Sequence, residues 1–139
     1  LWPNVDAGSD DVSKGLRMFR EENPDANVHF YRNFQAEDYA RLINNTAVLV
    51  GNSSSALREG AYLGVPAVNV GTRQGGREHA ANVRHADYDP DAIETAARAQ
   101  MDHGRYESSH MFGDGHAGKR IANLLAESEI VVQKRLAYA

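Results

Sequence analysis

The chain contains no cysteine. Disulfides and thiolate metal sites are thereby excluded, and the composition suits a reducing, cytoplasmic setting. No apolar run approaches the roughly 20 residues that a membrane-spanning helix needs, so no membrane partner is expected. Positive charge is not in excess: 15 Lys and Arg stand against 19 Asp and Glu, for a net charge of −4. The basic residues are dispersed, which argues against a nucleic-acid partner. Generic chemical signatures are missing too. There is no Gly-Lys-Ser/Thr phosphate loop and no GxGxxG, and no Gly-x-Ser-x-Gly elbow surrounds the serines. Among the six histidines no pair has the helical i, i+4 spacing with a clear third ligand, so no metal site is expected. No signal-peptide pattern is present and the first residue is Leu1. The chain is expected to be an excerpt from a longer protein.

What is present is an ordinary globular composition, 42% hydrophobic and 24% charged over 139 residues. That length is enough for a single domain over residues 1–139. Ser9 or Asp10 can cap a helix running to about Glu22, with Leu16, Phe19 and Val12 on one face, and Asn23-Pro24 ends it. A short strand is expected over Val28–Tyr31. A second helix starts at Gln35–Asp38, with Tyr39, Leu42 and Ile43 on its apolar side. Thr46–Val50 reads as a strand buried on both faces. Ser55–Leu63 reads as a helix stopped by Gly64 and Pro66, and Ala67–Val70 as the next strand. A further strand over Asn82–His85 and a helix from Asp89 or Pro90 to Asp102 follow, the latter with Ile93, Ala96, Ala97 and Met101 inward. His116–Ser128 reads as a helix with Ile121, Leu124 and Leu125 inward, and Ile130–Ala139 as its continuation or a trailing end. Strands alternating with helices of about ten residues predict an α/β fold, a Rossmann-like parallel sheet with flanking helices.

The most informative stretch runs from Gly51 to Glu78. Two apolar runs, Ala47–Val50 and Val65–Val70, each end in a polar turn. Ends of parallel strands are where open α/β sheets bind ligands. The first turn is Asn52-Ser53-Ser54-Ser55, opening a helix. Unpaired N–H groups and partial positive charge there, with small hydroxyl residues beside them, suit a phosphate. A single serine would be an ordinary cap; three in a row after a buried strand favour anion binding. Glu59, one turn into the helix, is placed to accept the two hydroxyls of a ribose. The second turn, Gly71-Thr72-Arg73-Gln74-Gly75-Gly76-Arg77, offers Arg73, and after it Arg77, as bidentate donors to a diphosphate. Its glycines make it deformable. Phe112-Gly113-Asp114-Gly115 is a tight turn whose N–H groups could border the same cleft. The residues alone therefore point to a nucleotide diphosphate.

Read as whole strings, these segments resemble the hydrolysing UDP-N-acetylglucosamine 2-epimerases, closest to the sialic-acid-pathway branch. The resemblance is carried by Pro3–Ser9 and by Gly51-Asn52-Ser53-Ser54 with Arg58-Glu59. It continues in Gly64–Asn69, in Gly71–Gln74 with Gly76-Arg77-Glu78, and in Tyr106 with Phe112–Gly115, so that it covers about residues 2–126. It implies a GT-B architecture in which this chain is most of the C-terminal, nucleotide-binding domain. It also implies hydrolysis of UDP-GlcNAc to UDP and N-acetylmannosamine, by anti elimination of UDP and hydration of a 2-acetamidoglucal. Ser53 and Ser54 would hold the diphosphate, Glu59 the ribose and Arg73 a phosphate. Asn4 would touch the nucleotide, and Phe34 would lie beside the uracil through backbone atoms. Ser55, Gln74 and Arg77 are secondary candidates. No cofactor is implied, and the intact protein would be a homodimer or homotetramer. The family's catalytic acidic residues and its key histidine belong upstream of Leu1, so no catalytic residue is expected here. Asp10 and Asp11 stand where feedback-regulated animal enzymes are more basic, and CMP-sialic acid regulation is not expected. The alternatives are a non-hydrolysing epimerase and a GT-B glycosyltransferase.

Overall fold

Asp10 and Asp11 in the first turn and Arg20 in the last complement the dipole of helix α1, Ser9–Glu22. Its start is set by Gly8 in the left-handed region (φ 81°), with no side-chain cap from Ser9 or Asp10. Its end is set by Asn23, whose backbone N–H and side-chain amide both donate to Phe19 O, at 2.9 and 3.0 Å. The computed structural model describes residues 1–3 and 8–129, and the chain divides into two units, residues 1–42 and 43–139. The continuation expected over Ile130–Ala139 lies outside the described residues.

The first unit is helical. The apolar face expected on α1 is not buried: Val12 and Phe19 are exposed and Leu16 is half-buried. The strand expected over Val28–Tyr31 does not form. The segment has no ladder partner among the described residues; Trp2 N–H donates to Tyr31 O at 2.8 Å and Val28 N–H to Ala26 O at 2.7 Å. Helix α2, Ala36–Asn44, begins in this unit with Glu37 and Asp38 in its first turn.

The second unit is an α/β layer built on three parallel strands, β1 (Leu49–Gly51), β2 (Ala67–Val70) and β3 (Val83–Ala86), in that spatial order. The register pairs Gly51 with Asn69 and Asn69 with His85, so these three residues form one row across the sheet. β2 is central and almost wholly buried, as a mostly apolar Ala-Val-Asn-Val strand should be. β1 was expected to share that burial but is an edge strand, and Val50 is exposed. Ala56, Leu57, Ala67 and Val83 form the apolar core, with Leu49 against it.

The expected helix over Ser55–Leu63 is broken into α3 (Ser54–Leu57) and α4 (Glu59–Leu63). Arg58, at φ −96° and ψ −73°, forms the joint. Backbone bonds Arg58 N→Ser54 O and Tyr62 N→Arg58 O still span it. α4 stops at Gly64 (φ 65°), whose carbonyl accepts from Tyr106 N–H at 2.9 Å. Helix α5, Pro90–His103, is capped by Asp89, whose side chain accepts from Ala92 N–H at 3.0 Å. Helix α6, Ala117–Glu127, closes the described chain. Ile121, Leu124 and Leu125 were expected to point inward, yet all three are exposed among the described residues.

A buried polar plug fastens the N-terminal edge of the sheet. The Gln100 amide donates to both Ala67 O and Asn82 O at 2.7 Å, and its Oε1 accepts from Tyr106 O–H at 2.6 Å. Asn82 Nδ2 donates to Ala56 O and Val65 O at 3.1 and 2.8 Å. With the opposite edge free of this plug, the loops after β1 and β2 are the ones that present polar groups.

Candidate functional site

The serine turn leaves β1 at Gly51. Ser53 caps α3 from an extended conformation (φ −75°, ψ 141°), its Oγ accepting from Ser55 N–H at 3.3 Å. Ser53 Oγ also lies 2.9 Å from Ser55 Oγ. Ser53 is exposed and Ser54 half-buried, while Ser55 is buried. Ser53 and Ser54, expected to hold an anion, are thus more accessible than Ser55, the secondary candidate. The broken helix shortens the run of aligned peptide dipoles, so hydroxyls and local N–H groups weigh more here than a long helix dipole.

The arginine loop connects β2 to β3 through residues 71–82. Parallel strands usually need a helical crossover, but here turns at Gly75 N→Thr72 O (2.8 Å) and Arg77 N→Gln74 O (3.2 Å) carry the chain instead. The buried Gln74 side chain donates to Asn52 O at 2.7 Å. Arg73 Nη1 donates to Asn52 Oδ1 at 3.4 Å. Asn52 therefore ties the arginine loop to the serine turn, and the two segments form one polar rim at the C-terminal edge of β1 and β2. That hub was present in the Gly51-Asn52 string, but its function as a tie depends on a contact across some twenty residues.

Glu59 opens α4 as an exposed carboxylate. Arg77 is exposed and lines a cleft of about 230 Å³ with Leu57, Arg58, Glu78 and Phe112. Phe112 of the Phe112–Gly115 turn thus borders the same cleft as Arg77. Asp114 in that turn is committed elsewhere. Arg120 grips both its oxygens at 2.8 and 2.6 Å, and His116 N–H donates to it at 3.1 Å. The Arg120 guanidinium, then the His116 N–H, hold its carboxyl below the usual carboxylate range. A larger hollow of about 830 Å³ lies among residues 79–82 and 103–111. It contains none of the serine turn, Glu59 or Arg73, and its size alone does not make it the chemical site.

Phe34 belongs to the first unit. It is half-buried, its ring 4.9 Å from that of Tyr31, and its N–H donates to Asn33 Oδ1 at 2.9 Å. A base meeting its backbone would find the carbonyl or displace that bond. Asn4 lies outside the described residues. Among the described residues no cluster of three or more metal-ligating side chains occurs, and no helix is long and apolar enough to cross a membrane.

The sequence matches the family model for UDP-N-acetylglucosamine 2-epimerase over residues 2–126. It is 28% identical to the UDP-N-acetylglucosamine 2-epimerase of Neisseria meningitidis serogroup B, across 97% of this chain and 36% of that protein. It is 32% identical to a UDP-N,N'-diacetylbacillosamine 2-epimerase (hydrolyzing) of Legionella pneumophila, across 90% of this chain and 32% of that protein. It is 33% identical to the polysialic acid biosynthesis protein P7 of Escherichia coli, across 67% of this chain and 23% of that protein. The chain spans about a third or less of the length of these relatives. With an α/β parallel sheet, paired polar loops at its C-terminal edge and a match over nearly its whole length, the chain belongs to the UDP-N-acetylglucosamine 2-epimerase family.

Proposed function

We propose that this chain is the UDP-binding, C-terminal part of a hydrolysing UDP-GlcNAc 2-epimerase of GT-B architecture. In this reading residues 1–139 serve as one nucleotide-binding domain of a cytoplasmic homo-oligomer. The observation that carries the reading is the Asn52 tie, which sets Arg73 beside the serine turn. Ser53 and Ser54 donate to the diphosphate, Arg73 neutralises a phosphate, Glu59 accepts the ribose hydroxyls, and Asn4 and Phe34 serve the uridine. Gln74 and Arg77 shape and charge the loop. Negative charge builds on UDP as it leaves, so donors preorganised on the diphosphate lower the elimination barrier. The C2 proton chemistry falls to groups upstream of Leu1.

Calorimetry with UDP tests the site. Arg73→Ala should weaken binding by about tenfold or more, the scale of one charged hydrogen-bonding group, and Glu59→Ala by somewhat less. Unchanged affinity in both variants removes the assignment. For the reaction, proton NMR of the intact parent protein with UDP-GlcNAc should show free N-acetylmannosamine and UDP. Accumulation of UDP-N-acetylmannosamine would instead mean a non-hydrolysing enzyme. The Legionella relative motivates a second substrate, UDP-N,N'-diacetylbacillosamine, and a competition assay between the two nucleotide sugars decides it.

A further inference from the structure

We propose that His79 and His85 form a two-imidazole binding site for a late first-row dication such as Zn²⁺. It sits at the C-terminal edge of β3 and stands on its own geometry, apart from the nucleotide site. The two Nε2 atoms lie 3.1 Å apart and the ring centroids 4.8 Å apart, at 68° between planes. A head-on hydrogen bond between imidazoles with that N···N separation would hold the centroids about 5.4 Å apart. The shorter separation means that the ring axes tilt off the N···N line. For equal tilts to one side, the two lone-pair directions meet about 2.1 Å from each nitrogen, the usual Zn–N distance.

The outer nitrogens suit this arrangement. His79 Nδ1 lies 3.1 Å from Ala80 O. A carbonyl only accepts, so Nδ1 carries the proton and Nε2 is left as a lone pair. His85 Nδ1 lies 3.1 Å from the Asn69 Nδ2 in the same row of the sheet. Asn69 is wholly buried, and its Oδ1 has no hydrogen-bond partner among the described residues. Oδ1 and Nδ2 exchange places when the amide turns over. In one orientation Asn69 donates to His85 Nδ1, His85 Nε2–H donates to His79 Nε2, and a buried acceptor is left unpaired. In the other, Oδ1 accepts from His85 Nδ1–H, and two Nε2 lone pairs confront each other with room for a cation. The second arrangement pairs Oδ1 with His85 Nδ1–H, gives up the 3.4 Å bond from Nδ2 to Gly71 O, and supplies the outer-nitrogen hydrogen bonds that metal-bound histidines characteristically make. Both rings are exposed, so an ion has access. With no third His, Asp or Glu in place among the described residues, water completes the coordination, and imidazole selects Zn²⁺, Ni²⁺ or Cu²⁺ over Mg²⁺.

The test uses the tag-free chain with ¹⁵N-labelled histidine. One equivalent of Zn²⁺ should shift the Nε2 resonances of His79 and His85 and leave those of His29, His103, His110 and His116 in place. Equimolar Mg²⁺ should shift none. By calorimetry H79Q and H85Q should each weaken Zn²⁺ binding at least tenfold, and H103Q should not. H79Q lies on an exposed loop and carries the test if H85Q fails to fold. Zn²⁺ affinity unchanged in H79Q, shifts at the other histidines, or an equal response to Mg²⁺ would each overturn the site.

Discussion

Gln100 is the residue on which most of the second unit's polar accounting rests. Its amide donates to the carbonyls of Ala67 in β2 and of Asn82 just before β3, and its oxygen takes the hydroxyl of half-buried Tyr106, Gln100 itself being fully buried. Replacing it with alanine opens a void and takes a donor from two buried carbonyls, of which Asn82 O keeps only the Ala67 N–H. Gln100→Ala should cost about 2–4 kcal/mol, read as a shift in urea midpoint. Asp114 offers a pH-dependent counterpart. Its carboxyl is held below the usual range by Arg120 and then by His116 N–H. A depressed folded value means that the contribution is present above the unfolded carboxylate range and is lost as pH falls through the folded value. Acid titration followed at the Asp114 carboxyl carbon by NMR should therefore show a midpoint below that of an exposed aspartate, and Arg120→Ala should return it toward normal.

At the scale of elements, local signals placed most boundaries. The ends of α1 at Gly8 and Asn23, with acidic residues in its first turn and Arg20 in its last, and the α5 start at Asp89-Pro90 are set by local turn, dipole and capping signals that act within a few residues. The break at Arg58 was not legible, because the residue that weakens helix in Ser55–Leu63 is Gly60, which lies beyond the joint and inside α4; the two backbone bonds that cross the joint keep its cost small. The Val28–Tyr31 strand failed for the opposite reason. A strand exists only if a neighbour pairs with it, and sequence alone does not show which neighbour is present. Gly64 is where element and packing meet. It is left-handed, and a Cβ there would collide with the Tyr106 carbonyl. Gly64→Ala should destabilise by about 1–3 kcal/mol through backbone strain and displacement of the 104–109 segment, measurable by thermal unfolding.

At the scale of the whole molecule, the amphipathic pattern of α6 was legible but its partner was not. Leu124 is 63% exposed and Leu125 61%, so α6 adds little to the core of this chain. Leu124→Glu should change its unfolding free energy by no more than about 0.5 kcal/mol, as for an ordinary surface position. A larger loss in urea titration would show that this face is covered.

The sequence by itself determined the α/β class, the two polar turns after Val50 and Val70, and the family, because these depend on residue order over short spans and on strings of motif. Tertiary structure alone decided that Asn52 joins those turns, that Gln100 and Asn82 plug the far edge, and that His79 faces His85. Each of these is a side-chain contact, to backbone or to another side chain, between residues separated by six to some thirty positions, and such distances are set by how strands and loops pack, not by neighbours in the chain.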